Sequence, residues 1–151
     1  MVQSKVRLTF ANERQFEVDT GSGHHFLIDD AIGKTGAKPI ELVAAALAGC
    51  TAFDVITILR SKKRKTITAY EVSVEADQQP APPQVFTKVR VHHLITGKDV
   101  DAQSVEDAIH LSESKYCSVG AMLRLSGAEL STTYSIQSAE TEEERELATV
   151  S

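Results

Sequence analysis

The chain is poor in cysteine, with two among 151 residues, and has no Cys-x-x-Cys pair. That scarcity excludes a disulfide-stapled scaffold, and a domain of this length buries enough apolar surface to stand without staples. No basic start followed by a short apolar stretch and a small-residue cleavage site occurs over Met1–Ala11. A secretory signal is therefore not expected, and the two thiols are assigned to a reducing, cytoplasmic setting. A phosphate-binding loop is missing, because Gly21-Ser22-Gly23 lacks the following helix and lysine. The nucleophile elbow Gly-x-Ser-x-Gly is absent too. The histidines include two adjacent pairs, His24-His25 and His92-His93. Neighbours on a strand point to opposite faces, so neither pair converges on one ion, and no metal or other cofactor is expected. Positive charge is also short. The net charge is −5, of which Glu140–Ser151, with five Glu against one Arg, carries −4. The near-neutral body offers no basic footprint for nucleic acid.

What is present is carried by pattern. Val6, Leu8 and Phe10 alternate with Lys5, Arg7 and Thr9, the period of a half-buried strand. Ala11–Arg14 turns the chain, Gln15–Asp19 continues with Phe16 and Val18 on one face, and Thr20–Gly23 turns it into a third strand, His24–Asp29. Three strands with brief turns suggest an antiparallel meander, followed by a loop over Asp30–Lys38. Thr66–Ala76 and Val85–Thr96 alternate likewise, on either side of the proline-containing connection Gln78–Gln84. Val100–Lys115 reads as a helix with Val105, Ala108, Ile109 and Ser112 as its buried stripe. Cys117-Ser118 interrupts it or caps a further short helix through Leu125; Gly127 stops that, and Leu130–Gln137 is a last strand. Grouped strands rather than strict alternation with helices indicate an α+β protein with mostly antiparallel sheet. One domain is expected over 1–138, and the acidic stretch 139–151, lacking an apolar face, as a disordered tail.

The segment between the two strand groups is the most informative. Pro39 suits a first helical turn and Glu41 complements the dipole there. From Leu42 to Leu59 the chain is almost continuously apolar or small, and Arg60, Lys62, Lys63, Arg64 and Lys65 end the run. A run of about 18 residues is near the minimum for a bilayer span. Asp54 inside it argues otherwise, since a mid-span charge costs about 3 kcal/mol. A central helix buried on nearly all sides is the better fit, with no membrane partner. Such a helix needs more cover than one small sheet supplies, and a second copy in a homodimer is the simplest source.

Each cysteine has an ordinary alternative as a small apolar filler. Cys50 follows Gly49 in mid-helix, whereas Cys117 falls at a helix start, where backbone N–H groups favour a thiolate. Local electrostatics thus point to Cys117 as the more acidic thiol. Asp54 lies one helical turn beyond Cys50. Ionised, it disfavours a neighbouring thiolate unless a cation neutralises it, or it holds a cation itself.

The run Pro39–Cys50, the segments Cys50–Val55, Phe86-Thr87 and Thr96–Asp99, and Ser114–Val119 with Cys117 resemble the OsmC/Ohr family, the osmotically induced and organic-hydroperoxide-resistance proteins. They are similar in particular to its OsmC-like, YhfA-like branch, over roughly Val2 to Gln137. The resemblance implies an OsmC-like fold, antiparallel sheets around a long central buried helix, in an intertwined homodimer with two sites at the subunit interface. It also implies a peroxidase acting on organic hydroperoxides or hydrogen peroxide. Cys50 would be the attacking thiol, Cys117 its disulfide partner, and an external dithiol the reductant. Family members supply an arginine from the early strands, here Arg14, held by a glutamate at the long helix's start, here Glu41. Glu41 falls one residue later than usual, a turn of about 100° on a helix. It is either that holder or a dipole-favouring surface residue. The alternative function is a non-peroxidase member of the fold that binds a small ligand or senses redox state.

Overall fold

The computed structural model describes residues 3–139; the acidic tail expected over 139–151 lies, but for Ala139, outside the described residues. Backbone contacts divide the chain into two compact units, Met1–Ala45 and Ala46–Ser151.

The first unit contains the meander, β1 (Val6–Asn12), β2 (Gln15–Thr20) and β3 (His25–Ile28), as one antiparallel sheet in that order. Leu8 faces Val18 and Phe10 faces Phe16 across the first pair, and the two phenylalanine rings meet edge-on at 5.8 Å. The alternation predicts that one face of β1 is buried, and this is corrected: Val6, Leu8 and Phe10 are 62%, 52% and 62% exposed. Among the described residues of this unit only Val18 and Ile28 are buried apolar ones, because a lone three-stranded sheet has no layer of its own unit over that face. At the unit's end Pro39 opens a helix and Glu41 Oε2 accepts the Lys38 N–H at 2.9 Å. That is the back-reaching half of a capping box.

In the second unit, α1 (Pro39–Thr57) continues through a π-helical turn, Ile58–Lys62. Its length and apolar character would suit a bilayer span, but Leu47, Thr51 and Val55, each four residues apart, bury one stripe in the domain's own core. Within a single chain the burial is on one side, with Phe53 76% exposed; the cover expected on the remaining sides is a second chain. The second sheet has the order β4 (Ile67–Gln78), β5 (Phe86–Gly97), β6 (Glu129–Ser138). β4 and β5 pair antiparallel, whereas β6 joins β5 parallel. Two helices carry the chain across before β6, and a crossover is what a parallel partner requires. A register shift between Ile67 and Ala69 brings Ile67 to the buried side together with the half-buried Tyr70, Val72 and Val74, although simple alternation puts it opposite them.

α2 (Ala102–Leu111) is capped by Asp101, which accepts the Ser104 N–H at 3.0 Å. It buries Val105, Ala108 and Ile109 as the spacing predicts. A π-helical turn, Ser112–Tyr116, follows; Cys117 then adopts an extended conformation, φ −71° and ψ 97°, and caps α3 (Ser118–Leu125). Gly127, at φ 92°, ends that helix. Two apolar clusters result. Val55, Ile58, Leu59, Ile95, Val105 and Ala108 belong to one; Leu47, Val89, Val91, Cys117 and Ala128 form the other. Full burial of each large aliphatic side chain contributes about 1.5–3 kcal/mol.

His92 and His93 do take opposite faces. His92 Nδ1 lies 2.7 Å from Thr133 Oγ1, while His93 is wholly buried with Nδ1 2.7 Å from the Tyr70 hydroxyl. Burial pushes His93 down to about 4, below the ordinary value of about 6.5, so the fold holds it neutral. The stability this contributes is complete above the unfolded-state pKa and is lost as pH falls through about 4. Urea unfolding should therefore show a loss of up to about 3 kcal/mol from this residue on going from pH 7 to below 4. His93→Gln should flatten that part of the profile; an identical pH dependence in the variant would refute the assignment.

Candidate functional site

The stripe that anchors α1 also decides where Asp54, the charged residue in its middle, goes. Thr51 is buried between Leu47 and Val55, and Asp54, half-buried on the adjoining face, needs a polar partner. Ser112, wholly buried at the end of α2, supplies it. Its hydroxyl donates to Asp54 Oδ2 at 2.8 Å, and its oxygen lies 3.2 Å from Thr51 Oγ1. A hydroxyl has one proton to give, and the shorter contact, to the carboxylate, is the stronger of the two that Ser112 makes. This bond holds the middle of α1 against the end of α2. Five residues later Cys117 arrives beside Cys50.

Cys50 is half-buried and Cys117 buried, and both are free thiols. Their sulfurs and a carboxylate oxygen of Asp54 lie within 4.8 Å of one another. Ser118 Oγ is 4.0 Å from Cys50 Sγ, a polar neighbour rather than a strong bond. Cys117 Sγ accepts the Gly120 N–H at 3.3 Å. A Cβ on Gly120 would sit 3.3 Å from that sulfur and 3.6 Å from a Leu47 methyl, so glycine is what lets the helix start close over the thiol. Cys117 is not the acidic thiol that its place at a helix start suggests. Burial, with the adjacent Cys50, pushes the Cys117 thiol up to about 11, outweighing the Gly120 bond that favours the thiolate. One backbone N–H does not offset removal from water.

Next to the thiols is a largely apolar depression of about 280 Å³, lined by Phe53, Asp54, Thr57, Ile58, Lys62 and Tyr116. Lys62 and Lys115 approach the Tyr116 ring at 5.5 and 5.4 Å from its centroid. Their charges pull the Tyr116 hydroxyl below its usual range. The remaining sequence candidates lie in the first unit and are not paired with each other. Arg14 is ion-paired with Asp30, which also accepts the N–H groups of Ile32 and Gly33 at 2.8 Å each. Glu41 is engaged by Lys38 through the backbone bond and an ammonium contact at 3.7 Å. Sequence reasoning placed Ser112 on the buried stripe as packing and missed it as the partner of Asp54. Its hydroxyl at an otherwise apolar position was the available signal. Thr51, Ser118 and Gly120 carried none.

An α+β fold with a redox-capable cysteine pair at the junction of a long apolar helix and a short capped one defines a class, and comparison with known proteins agrees with it. Residues 32–133 match the family model described as OsmC-like protein, and the chain belongs to that family. Protein YhfA of Escherichia coli K12 is 34% identical over 119 residues, 79% of this chain and 88% of that one. Among solved structures, a hypothetical protein from Aquifex aeolicus superposes with a TM-score of 0.83 at 25% identity, covering 93% of this chain and all of that one. An organic hydroperoxide resistance protein OsmC from Legionella pneumophila does so with a TM-score of 0.65 at 17% identity, covering 89% and 98%. At that identity the likeness is one of fold.

The two thiols should react unequally. Cys117 is 4% exposed and protonated at neutral pH, so iodoacetamide at pH 7.5 should label Cys50 first, by about tenfold or more given thiolate-controlled reactivity. Peptide mass spectrometry of the time course measures this. Equal labelling rates, or Cys117 first, would contradict the assigned order.

Proposed function

We propose that this protein is a cytoplasmic thiol peroxidase that reduces organic hydroperoxides or hydrogen peroxide and works as a homodimer. The observation that carries the proposal is the approach of the Cys50 and Cys117 sulfurs to within 4.8 Å. Modest closure from there reaches disulfide geometry. Cys50, the more exposed thiol, attacks the distal oxygen of the hydroperoxide as its thiolate. The O–O bond breaks, the alkoxide takes a proton to leave as an alcohol, and Cys50 becomes a sulfenic acid. Cys117 sulfur then attacks the sulfenic sulfur. The S–S bond forms, and the departing hydroxide leaves as water with the Cys117 proton. An external dithiol restores both thiols by exchange. The depression beside Asp54, with Phe53 and Ile58 in its wall, suits an apolar substituent on the peroxide. Family membership and the hydroperoxide-resistance protein among the structural neighbours support the same chemistry. The exposed Val6, Leu8, Phe10 and Phe53 support a second copy as cover. Arg14 is the cation proposed to favour the Cys50 thiolate, with Asp30 rather than Glu41 as the carboxylate that orients it, because Asp30 is the one bonded to it. Glu41 caps α1 instead.

The test is consumption of cumene hydroperoxide and hydrogen peroxide with a dithiol reductant. Cys50→Ser should abolish turnover. Cys117→Ser should stop the cycle at the sulfenic acid, which dimedone traps on Cys50. Unchanged turnover in Cys50→Ser would sink the proposal. Arg14→Ala should lower kcat/KM by about 100-fold, the scale of losing one charge-stabilising group, with its circular dichroism unchanged; an unaltered kcat/KM would remove Arg14 from the site. Asp54 beside the thiols favours one rival, a redox sensor that forms the disulfide without sustained turnover. A Cys50–Cys117 disulfide after one equivalent of peroxide, with no steady-state consumption, would identify it.

A further inference from the structure

We infer that reduced Cys50, Asp54 and Cys117 form a binding site for Zn²⁺. The inference does not depend on peroxide chemistry. Cys50 and Asp54 are one turn apart on the same face of α1, and Cys117 comes from the α2–α3 junction, so three potential ligands converge from two separate elements. Their ligand atoms lie within 4.8 Å of one another. Tetrahedral zinc with bonds of about 2.0–2.3 Å spaces its ligands by about 3.4–3.8 Å. The cluster is thus pre-formed to within side-chain rotation. Two sulfurs and one carboxylate oxygen suit borderline-soft Zn²⁺, not the hard, all-oxygen preference of Mg²⁺ or Ca²⁺. Three protein ligands leave a fourth position for water or another donor.

Two further observations bear on the assignment. The groups around the ligands are arranged as an outer shell: Ser112 donates to Asp54 Oδ2 at 2.8 Å, leaving the other carboxylate oxygen free, and the Gly120 N–H points at Cys117 Sγ at 3.3 Å. Asp54 also has no charged partner among the described residues of its unit. The ion pairs there are Lys63–Asp107, Lys65–Asp101, Arg90 with Asp77 and Glu75, and Arg124–Glu113. A half-buried carboxylate facing two thiols, with no ion pair of its own, gains from a cation; Lys62 in the wall of the same depression lies over the Tyr116 ring and forms no ion pair with Asp54. A dication supplies the charge.

The reduced, untagged full-length chain, stripped of metal under anaerobic conditions, is titrated with Zn²⁺ alone against a chromophoric chelator, and its stoichiometry is read by native mass spectrometry. One ion per chain is expected, uncontested by millimolar Mg²⁺. Co²⁺ in its place should give a thiolate-to-cobalt charge-transfer band in the near ultraviolet. Cys50→Ser and Cys117→Ser should each weaken binding by about 100-fold, and the nearly isosteric Asp54→Asn by about 10-fold. Zinc affinity in the wild type no higher than in the Cys50→Ser/Cys117→Ser double variant would overturn the site. So would cobalt bound without a charge-transfer band, or Asp54→Asn binding as tightly as wild type. Circular dichroism of each variant separates lost ligands from lost fold, and Asp54→Asn keeps the test decisive if a cysteine variant is misfolded. Zinc is titrated with no peroxide present and peroxide consumption is assayed in excess chelator, so failure of one result leaves the other readable.

Discussion

The packing of a single stripe of α1 is the constraint on which the rest of the second unit depends. The helix is apolar almost throughout, so amphipathicity does not choose its inward face. The partner surface does: Val89 and Val91 with Leu47 in one cluster, Ile95 with Val55, Ile58 and Leu59 in the other. Once Leu47 and Val55 are seated, Thr51 between them is buried and Asp54 is held at the edge of the core. The cost of a half-buried carboxylate is offset by the Ser112 hydroxyl, and that bond ties α1 to the end of α2. Everything about the cysteine pair follows from this tie, since Cys117 is only five residues beyond Ser112.

Two opposing effects meet at Cys117. Its position as the first residue before α3 aims a backbone N–H at the sulfur, which favours a thiolate. Its membership of an apolar cluster removes it from water, which disfavours one, and Cys50 beside it adds to that. Desolvation wins because a single N–H restores only part of the lost solvation. The result makes the thiols unequal: Cys50 is nearer the surface and Cys117 is enclosed, which suits the roles proposed for them.

The surface left over is as informative as the core. Val6, Leu8 and Phe10 on one strand, and Phe53 and Leu125 on the helices, are apolar and exposed in one chain. Scattered apolar residues are ordinary on a surface, but an entire strand face is not. A second copy of the chain is the proposed cover, and it answers why a helix with apolar residues all round buries only one side here.

Much of this was legible in the chain itself. Strand alternation, Pro39 before the apolar run, the Val105–Ala108–Ile109 stripe and Gly127 are local signals, each written within a few residues of the element it specifies. The two cysteines and the motifs around them singled out the family, and with it the chemistry proposed. Three things were decided only in tertiary structure. β6 lies parallel to β5 because two helices intervene, and no residue in β6 encodes the direction of its neighbour. The acidity of Cys117 follows from what surrounds it, which its helix-start position does not reveal. The meeting of Cys50, Asp54, Ser112 and Cys117 joins residues more than 50 positions apart, and pattern along a chain has a reach of a few turns. Sequence determines which side chains are available for chemistry, whereas the packing of α1 decides which of them touch and in what dielectric.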